Sequence, residues 1–189
     1  QALVNLYTQG QMQQVISKTE RVLSEYPSSV TLYNIFGSAE QSLGNYEKAI
    51  EAYWKAISIK QDSYNAYYNM GNALKDQGNL DQAIKAYQKA ISIKPDYATY
   101  YNMGNALRDQ LKLDEAIEYY SKSISLNPNY TDAINNMGIA LHYQDKSEEA
   151  IKAYHKAISL NPSSAETHQN LALLLLRSGK LKEGLDELE

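Results

Sequence analysis

The sequence predicts an all-α protein, a solenoid of antiparallel helix pairs. Three observations carry this prediction. Prolines stand at 27, 95, 128 and 162, at intervals of 68, 33 and 34, and even spacing of a residue that ends helices signals repeats. The segment Tyr67–Leu74, Tyr-Tyr-Asn-Met-Gly-Asn-Ala-Leu, recurs 33 residues later over Tyr100–Leu107 and, with changes, a further 34 on over Ile134–Leu141. Within it Tyr67, Met70, Gly71 and Leu74 fall at i, i+3, i+4 and i+7, one face of a helix.

The register divides the chain into a degenerate unit over 1–29, units at 30–63, 64–96, 97–130 and 131–164, and a last one, 165–189, that stops inside its second half. The chain therefore reads as a single array and as a fragment, with at least eleven helices and no strand. The second half of each unit is also periodic: Glu47–Tyr53 matches Asp81–Tyr87, Asp114–Tyr120 and Glu148–Tyr154. Gly44, Gly78 and Gly179 lie between the halves, where a helix C-cap needs positive φ. Leu111 and Asp145 stand where that glycine is expected, which predicts turns built differently. Gly37, Gly71, Gly104 and Gly138 on the first helices, with Ala49, Ala83, Ala116 and Ala150 on the second, mark the closest backbone contacts. Ala56, Ala90, Ser123 and Ala157 are expected to meet the next hairpin, and Tyr53, Tyr87, Tyr120 and Tyr154 to fill the volume between hairpins. Glu40 and Ser147 occupy positions that are apolar elsewhere, Gln61 replaces the proline, and the linker after Pro95 is one residue short, so local looseness is expected there. At the end, Leu174, Leu175, Leu181, Leu185 and Leu188 are expected to lack cover and to favour a second copy or fraying.

This succession of aromatic, Leu or Met with Gly, Ala, Tyr, Ala and Pro resembles the tetratricopeptide (TPR) repeat, over essentially the whole chain. The stretch from Asn69 to Gly78, Asn-Met-Gly-Asn-Ala-Leu-Lys-Asp-Gln-Gly, is similar to arrays that precede O-GlcNAc transferase catalytic domains and to those of bacterial multi-TPR proteins fused to transferases. The resemblance implies a right-handed superhelix whose first helices line an inner wall through repeat positions two, five, six, nine, twelve and thirteen. It also implies a protein-interaction scaffold that binds an extended peptide or protein segment in that concave groove, as the substrate- or partner-binding region of a larger transferase-like protein.

Carried onto this chain, position five includes Tyr68 and Tyr101, and position six gives Ile35, Asn69, Asn102, Asn136 and Asn170. Position nine includes Asn72 and Asn105, followed by Ile139 and Leu173, and position twelve includes Lys75 and Arg108. The four position-six asparagines, at intervals of 33, 34 and 34, form a ladder. A carboxamide offers two donors and an acceptor, so it can bond a peptide's N–H and C=O whatever its side chains. The competing reading is that these amides bridge neighbouring helices. Lys75 with Asp76 and Arg108 with Asp109 either read a ligand's charges or form repeat-to-repeat ion pairs worth under ~1 kcal/mol. Ile139, Leu173 and Leu176 make the wall apolar toward the C-terminus, where an appended domain or a second copy is favoured over a ligand.

Composition narrows the partners. Lys and Arg total 18 against 22 Asp and Glu, a net charge of −4, whereas nucleic-acid binding rests on clustered cations. No apolar run reaches the roughly 18 residues of a membrane span, and no signal peptide is read at the N-terminus; a cytoplasmic location is the expectation. There is no cysteine. Position two reads Thr31, Asn65, Ala98, Asp132 and Glu166, and position five lacks lysine, so the cationic clamp of co-chaperone TPR domains is missing. His142, His155 and His168 are 13 residues apart, a spacing that fits no metal motif. His168 stands where other repeats place Tyr and reads as a packed ring. No catalytic residue, metal or cofactor is expected. The partner class is protein or peptide, with self-assembly through the C-terminal face as the alternative.

Overall fold

The computed structural model describes residues 2–187. Among the described residues there are twelve α-helices and no strand. They are α1 (Ala2–Thr8), α2 (Met12–Glu25), α3 (Val30–Ser42), α4 (Tyr46–Ile59), α5 (Tyr64–Asp76) and α6 (Leu80–Ile93), then α7 (Tyr97–Asp109), α8 (Leu113–Leu126), α9 (Thr131–Tyr143), α10 (Ser147–Leu160), α11 (Ala165–Arg177) and α12 (Leu181–Asp186). The helices fall into two compact units, one running up to Pro95 and one from Asp96 on. Within each unit every helix packs on its neighbours in sequence. First helices also meet the next first helix, α3 on α5 in one unit, α7 on α9 and α9 on α11 in the other.

Each hairpin turns in three residues, and all six turns share one geometry. Gly10, Gly44, Gly78 and Gly179 have φ between 72° and 85°. At Gly78 the turn is closed by Gly78 N–H to Lys75 O at 2.9 Å and Asn79 N–H to Leu74 O at 2.8 Å. The expectation that Leu111 and Asp145 would force different turns is corrected. They adopt φ 60° and 58°, and Leu111 N–H to Arg108 O at 2.8 Å with Lys112 N–H to Leu107 O at 2.9 Å repeats the bonding. The last carbonyls of the helix need these donors, so the backbone takes the left-handed conformation with or without glycine. Gly10 makes the degenerate first unit a regular hairpin, with Val15, Ile16 and Ala39 at the core of its contact with α3.

The tyrosines pack differently from expectation. A Cβ on Gly37, Gly71, Gly104 or Gly138 would sit 2.6, 2.5, 2.6 or 2.7 Å from the Cε1 of Tyr53, Tyr87, Tyr120 or Tyr154 respectively. Each ring therefore lies against the glycine of its own hairpin, in the place a side chain on the first helix would take. Even a methyl group is excluded. Ser123, expected at the next hairpin, donates to the Tyr97 carbonyl of its own hairpin at 2.8 Å. Buried Glu40 is accommodated by Asn45 Nδ2, which donates to it at 2.7 Å, and by Lys48 at 3.9 Å. The short linker ends in a compensating N-cap, Asp96, whose carboxylate accepts from Ala98 N–H and Thr99 N–H.

Toward the C-terminus Leu171, Leu174 and Leu175 are buried in a cluster with Ile134, Leu141 and Tyr154. The predicted lack of cover at Leu174 and Leu175 is thus corrected: α10 and α12 close over α11. Leu181 and Leu185 are 64% and 56% exposed, and Leu188 lies outside the described residues. His168 is a packed, partnered ring: Nδ1 lies 2.6 Å from Glu187 and Nε2 3.1 Å from the Pro162 carbonyl. Both contacts, the carboxylate first, hold its pKa above the ordinary value.

Candidate functional site

In the second unit the first helices α7, α9 and α11 bring polar side chains around a pocket of about 400 Å³. Tyr101, Asn105 and Arg108 come from α7, Asp132, Asn135, Asn136 and Ile139 from α9, and Glu166 from α11. Their spacing of three and four residues along each helix puts them on one face.

A hydrogen-bond network orders this surface. Tyr120, buried in its hairpin, reaches through with its hydroxyl and donates to Asn105 Oδ1 at 2.8 Å. Burial keeps that phenol well above its ordinary pKa, so it acts as a donor. Asn136 Nδ2 gives one hydrogen to the same Asn105 oxygen at 2.8 Å and one to the Tyr101 hydroxyl at 3.2 Å. Asn135 Nδ2 donates to Glu166 at 3.2 Å, and Asn170 Nδ2 donates to Asn135 Oδ1 at 3.3 Å. The Nδ2 donors of Asn136, expected to project for a ligand, instead bond the preceding repeat, as in the bridging alternative. The Asn105 Nδ2 donors and the Asn136 Oδ1 acceptor keep no partner among the described residues.

The first unit repeats part of this on α5, which carries Tyr68, Asn69, Asn72 and Lys75. Tyr87 donates to Asn72 Oδ1 at 2.8 Å, as Tyr120 does to Asn105. One hairpin earlier, Tyr53 donates to Gln41 Oε1 at 3.2 Å and lies 3.2 Å from Ser38 Oγ. Beside it, a pocket of about 620 Å³ between α1 and α3 is lined by Leu3, Tyr7, Thr31, Asn34 and Ile35 among others. There the buried Asn34 Oδ1 has no hydrogen-bond partner.

Of the residues singled out in the sequence, Tyr101, Asn105, Arg108 and Asn136 meet at the second unit's pocket, and Asn170 joins it through Asn135. Asn102 is half-buried on α7 and does not line the pocket. Lys75 and Arg108 pair with their own neighbours, Asp76 at 3.3 Å and Asp109 at 3.1 Å, instead of bridging repeats. Asp132, Asn135 and Glu166 were not singled out as ligand contacts. They stand at repeat positions two and five, where the sequence shows only that the clamp cations are missing. No helix is long and apolar enough to cross a membrane, and no group of three or more His, Cys, Asp or Glu could hold a metal, among the described residues.

The consecutive packed helix pairs agree with the comparisons. Tetratricopeptide-repeat models match residues 64–97, 97–130, 131–164 and 153–186, and a further TPR model matches 37–78. The chain belongs to the tetratricopeptide-repeat family, and it is a protein–protein interaction scaffold of a generally non-catalytic kind. A solved MamA structure is 25% identical, with TM-score 0.77 over 84% of this chain and 87% of that one. YrrB, described as a TPR protein with an unusual peptide-binding site, is 20% identical with TM-score 0.73 over 89% of this chain and 88% of that one. PilW, a type IV pilus biogenesis factor, is 19% identical with TM-score 0.89 over 98% of this chain and 87% of that one. No curated protein sequence matches the chain.

Proposed function

We propose that the first-helix surface binds an extended polypeptide segment, gripped chiefly through its backbone. The observation that carries this reading is the fixed amide pair at the second unit's pocket. Asn105 is held by Tyr120 so that its Nδ2 donors face outward, and Asn136 is held so that its Oδ1 remains as an acceptor. A donor and an acceptor set in advance suit a peptide's C=O and N–H, and their ordering cost is met on folding instead of on binding. The binding residues are then Asn69, Asn72, Asn102, Asn105, Asn136, Asn170, Tyr68, Tyr101, Lys75 and Arg108, with Asp132, Asn135 and Glu166 added. The resemblance of Asn69–Gly78 to transferase-linked arrays supports presentation of the bound segment to an appended catalytic domain.

The test is fluorescence anisotropy with a panel of labelled, unstructured peptides of unrelated sequence. Several should bind, and Asn105→Ala should weaken them roughly fivefold to tenfold, the worth of one hydrogen bond of about 1 kcal/mol. His155→Ala, on an exposed position of α10, should change nothing. The competing reading is self-assembly, favoured by Leu173, Leu181 and Leu185 at 50%, 64% and 56% exposure. Sedimentation that grows with protein concentration, together with no peptide binding, would replace the first reading with the second.

A further inference from the structure

The second-helix side of the first unit carries a feature that the asparagine-lined surface does not explain. Trp54, the chain's single tryptophan, is 55% exposed on α4. It stands over a crevice of about 580 Å³ between α4, α5 and α6, floored by Tyr67, Met70, Leu74 and Ala86. A second crevice, of about 560 Å³, continues from it and shares Trp54, Tyr67 and Lys89. At Trp54's repeat position the later hairpins carry Gln88, Ser121 and His155. In the second unit Ser121 lies 3.7 Å from Met137 Sδ, so no large ring stands there. An indole left half in water at the mouth of an apolar crevice is a surface awaiting a partner.

The charges around it indicate that partner's chemistry. Lys85 and Lys89 line the crevice from α6, and one carboxylate, Asp62, lines its continuation. At the same register α4 and α8 carry internally neutralised pairs, Glu51 with Lys55 at 3.2 Å and Glu118 with Lys122 at 2.6 Å, whereas α10 carries two lysines, Lys152 and Lys156, as α6 does, but without a large ring beside them. In α6 the glutamate is replaced by Lys85, so two like charges sit one turn apart, and neither makes an ion pair among the described residues. Like charges at i, i+4 are mildly unfavourable in a helix. Here, on a chain of net charge −4, they concentrate positive potential beside the indole. Arrangements of this kind steer and orient a partner of opposite sign.

We infer that the Trp54 crevice is a second docking site, distinct from the asparagine-lined surface, for an acidic amphipathic segment of a partner protein. An apolar side chain of that segment enters beside the indole, and flanking carboxylates pair with Lys85 and Lys89. The occupant is thus a glutamate- or aspartate-rich segment with leucine or an aromatic residue between the charges.

Because Trp54 is the only tryptophan, its emission reports on the site directly. The probe is a short synthetic peptide free of tryptophan, built of glutamates with leucine and phenylalanine between them. Titration should shift the emission to the blue and saturate, and the same peptide with serine for its apolar residues should not. Lys85→Glu installs the internal ion pair already present in α4 and α8, so the helix should be retained, as circular dichroism would report. It should nevertheless weaken binding roughly tenfold. With both Lys85→Glu and Lys89→Glu, a lysine-rich counterpart of the probe should bind in its place. An unchanged emission with the acidic probe, or a shift indifferent to Lys85→Glu, would overturn the proposal. A shift that tracks protein concentration with no peptide present would also overturn it, in favour of a second copy. Anisotropy changes at the asparagine-lined surface are read independently, so either site can fail alone.

Discussion

At Gly104 two residue-level effects of opposite sign compete. Alanine is favoured over glycine inside a helix by about 1 kcal/mol, which would make Gly104→Ala stabilising on a bare helix. Here the new methyl would meet Tyr120 Cε1 at 2.6 Å and Cδ1 at 2.7 Å. The ring has nowhere to go: it is fully buried, and its hydroxyl is tied to Asn105. Overpacking of this kind costs about 1–3 kcal/mol, so sterics should win by up to about 2 kcal/mol. Gly104→Ala is expected to lower the urea midpoint, and a raised midpoint would mean that the tyrosine yields. From sequence, glycine and tyrosine were each legible as recurring, but not as partners. They are 16 residues apart in the chain, and helical periodicity says which face a residue occupies without saying whose ring lies across from it.

The hairpin turn is the element whose geometry outlasts its sequence. Leu111 is held at φ 60° and is 76% exposed, so it pays a backbone penalty with little burial in return. The left-handed region costs an L-residue roughly 1–2 kcal/mol, and glycine returns about 0.5–1 of that as extra freedom in the unfolded chain. Leu111→Gly should therefore stabilise the protein by about 0.5–1 kcal/mol, measured as a rise in urea midpoint at unchanged slope. Asp145→Gly should gain less, since aspartate tolerates this conformation better. Helix pairing, unit boundaries and the glycine turns could all be read from spacing. The turns at Leu111 and Asp145 could not, because glycine is a preference and not a requirement there, while the carbonyls ending α7 and α9 demand the same donors. Gly10, one repeat length before Gly44, is the sign in the sequence that the degenerate first unit closes like the rest.

Across the molecule, the architecture was more legible than the surfaces that use it. A core of small residues and tyrosines leaves a periodic trace, since every repeat must solve the same packing problem. The candidate surfaces depart from the repeat, and a departure has no period to reveal it: Asp132 and Glu166 at the pocket, Trp54 at its crevice. The tyrosines sealed inside the hairpins carry one more consequence, for alkaline solution. Burial, before any other cause, places the phenols of Tyr53, Tyr87, Tyr120 and Tyr154 above their ordinary pKa. Their contribution to stability is complete below about pH 10, the ordinary value, and declines as the pH climbs from there toward the raised ones, because the unfolded chain gives up these protons more readily. Absorbance of phenolate near 295 nm should thus include a late stage, from the buried rings, that coincides with loss of helical ellipticity. A single smooth stage with the helices intact would mean that water already reaches the inner rings. Strong base would then act on this protein as a denaturant of defined target, opening each hairpin at the aromatic ring that fills it.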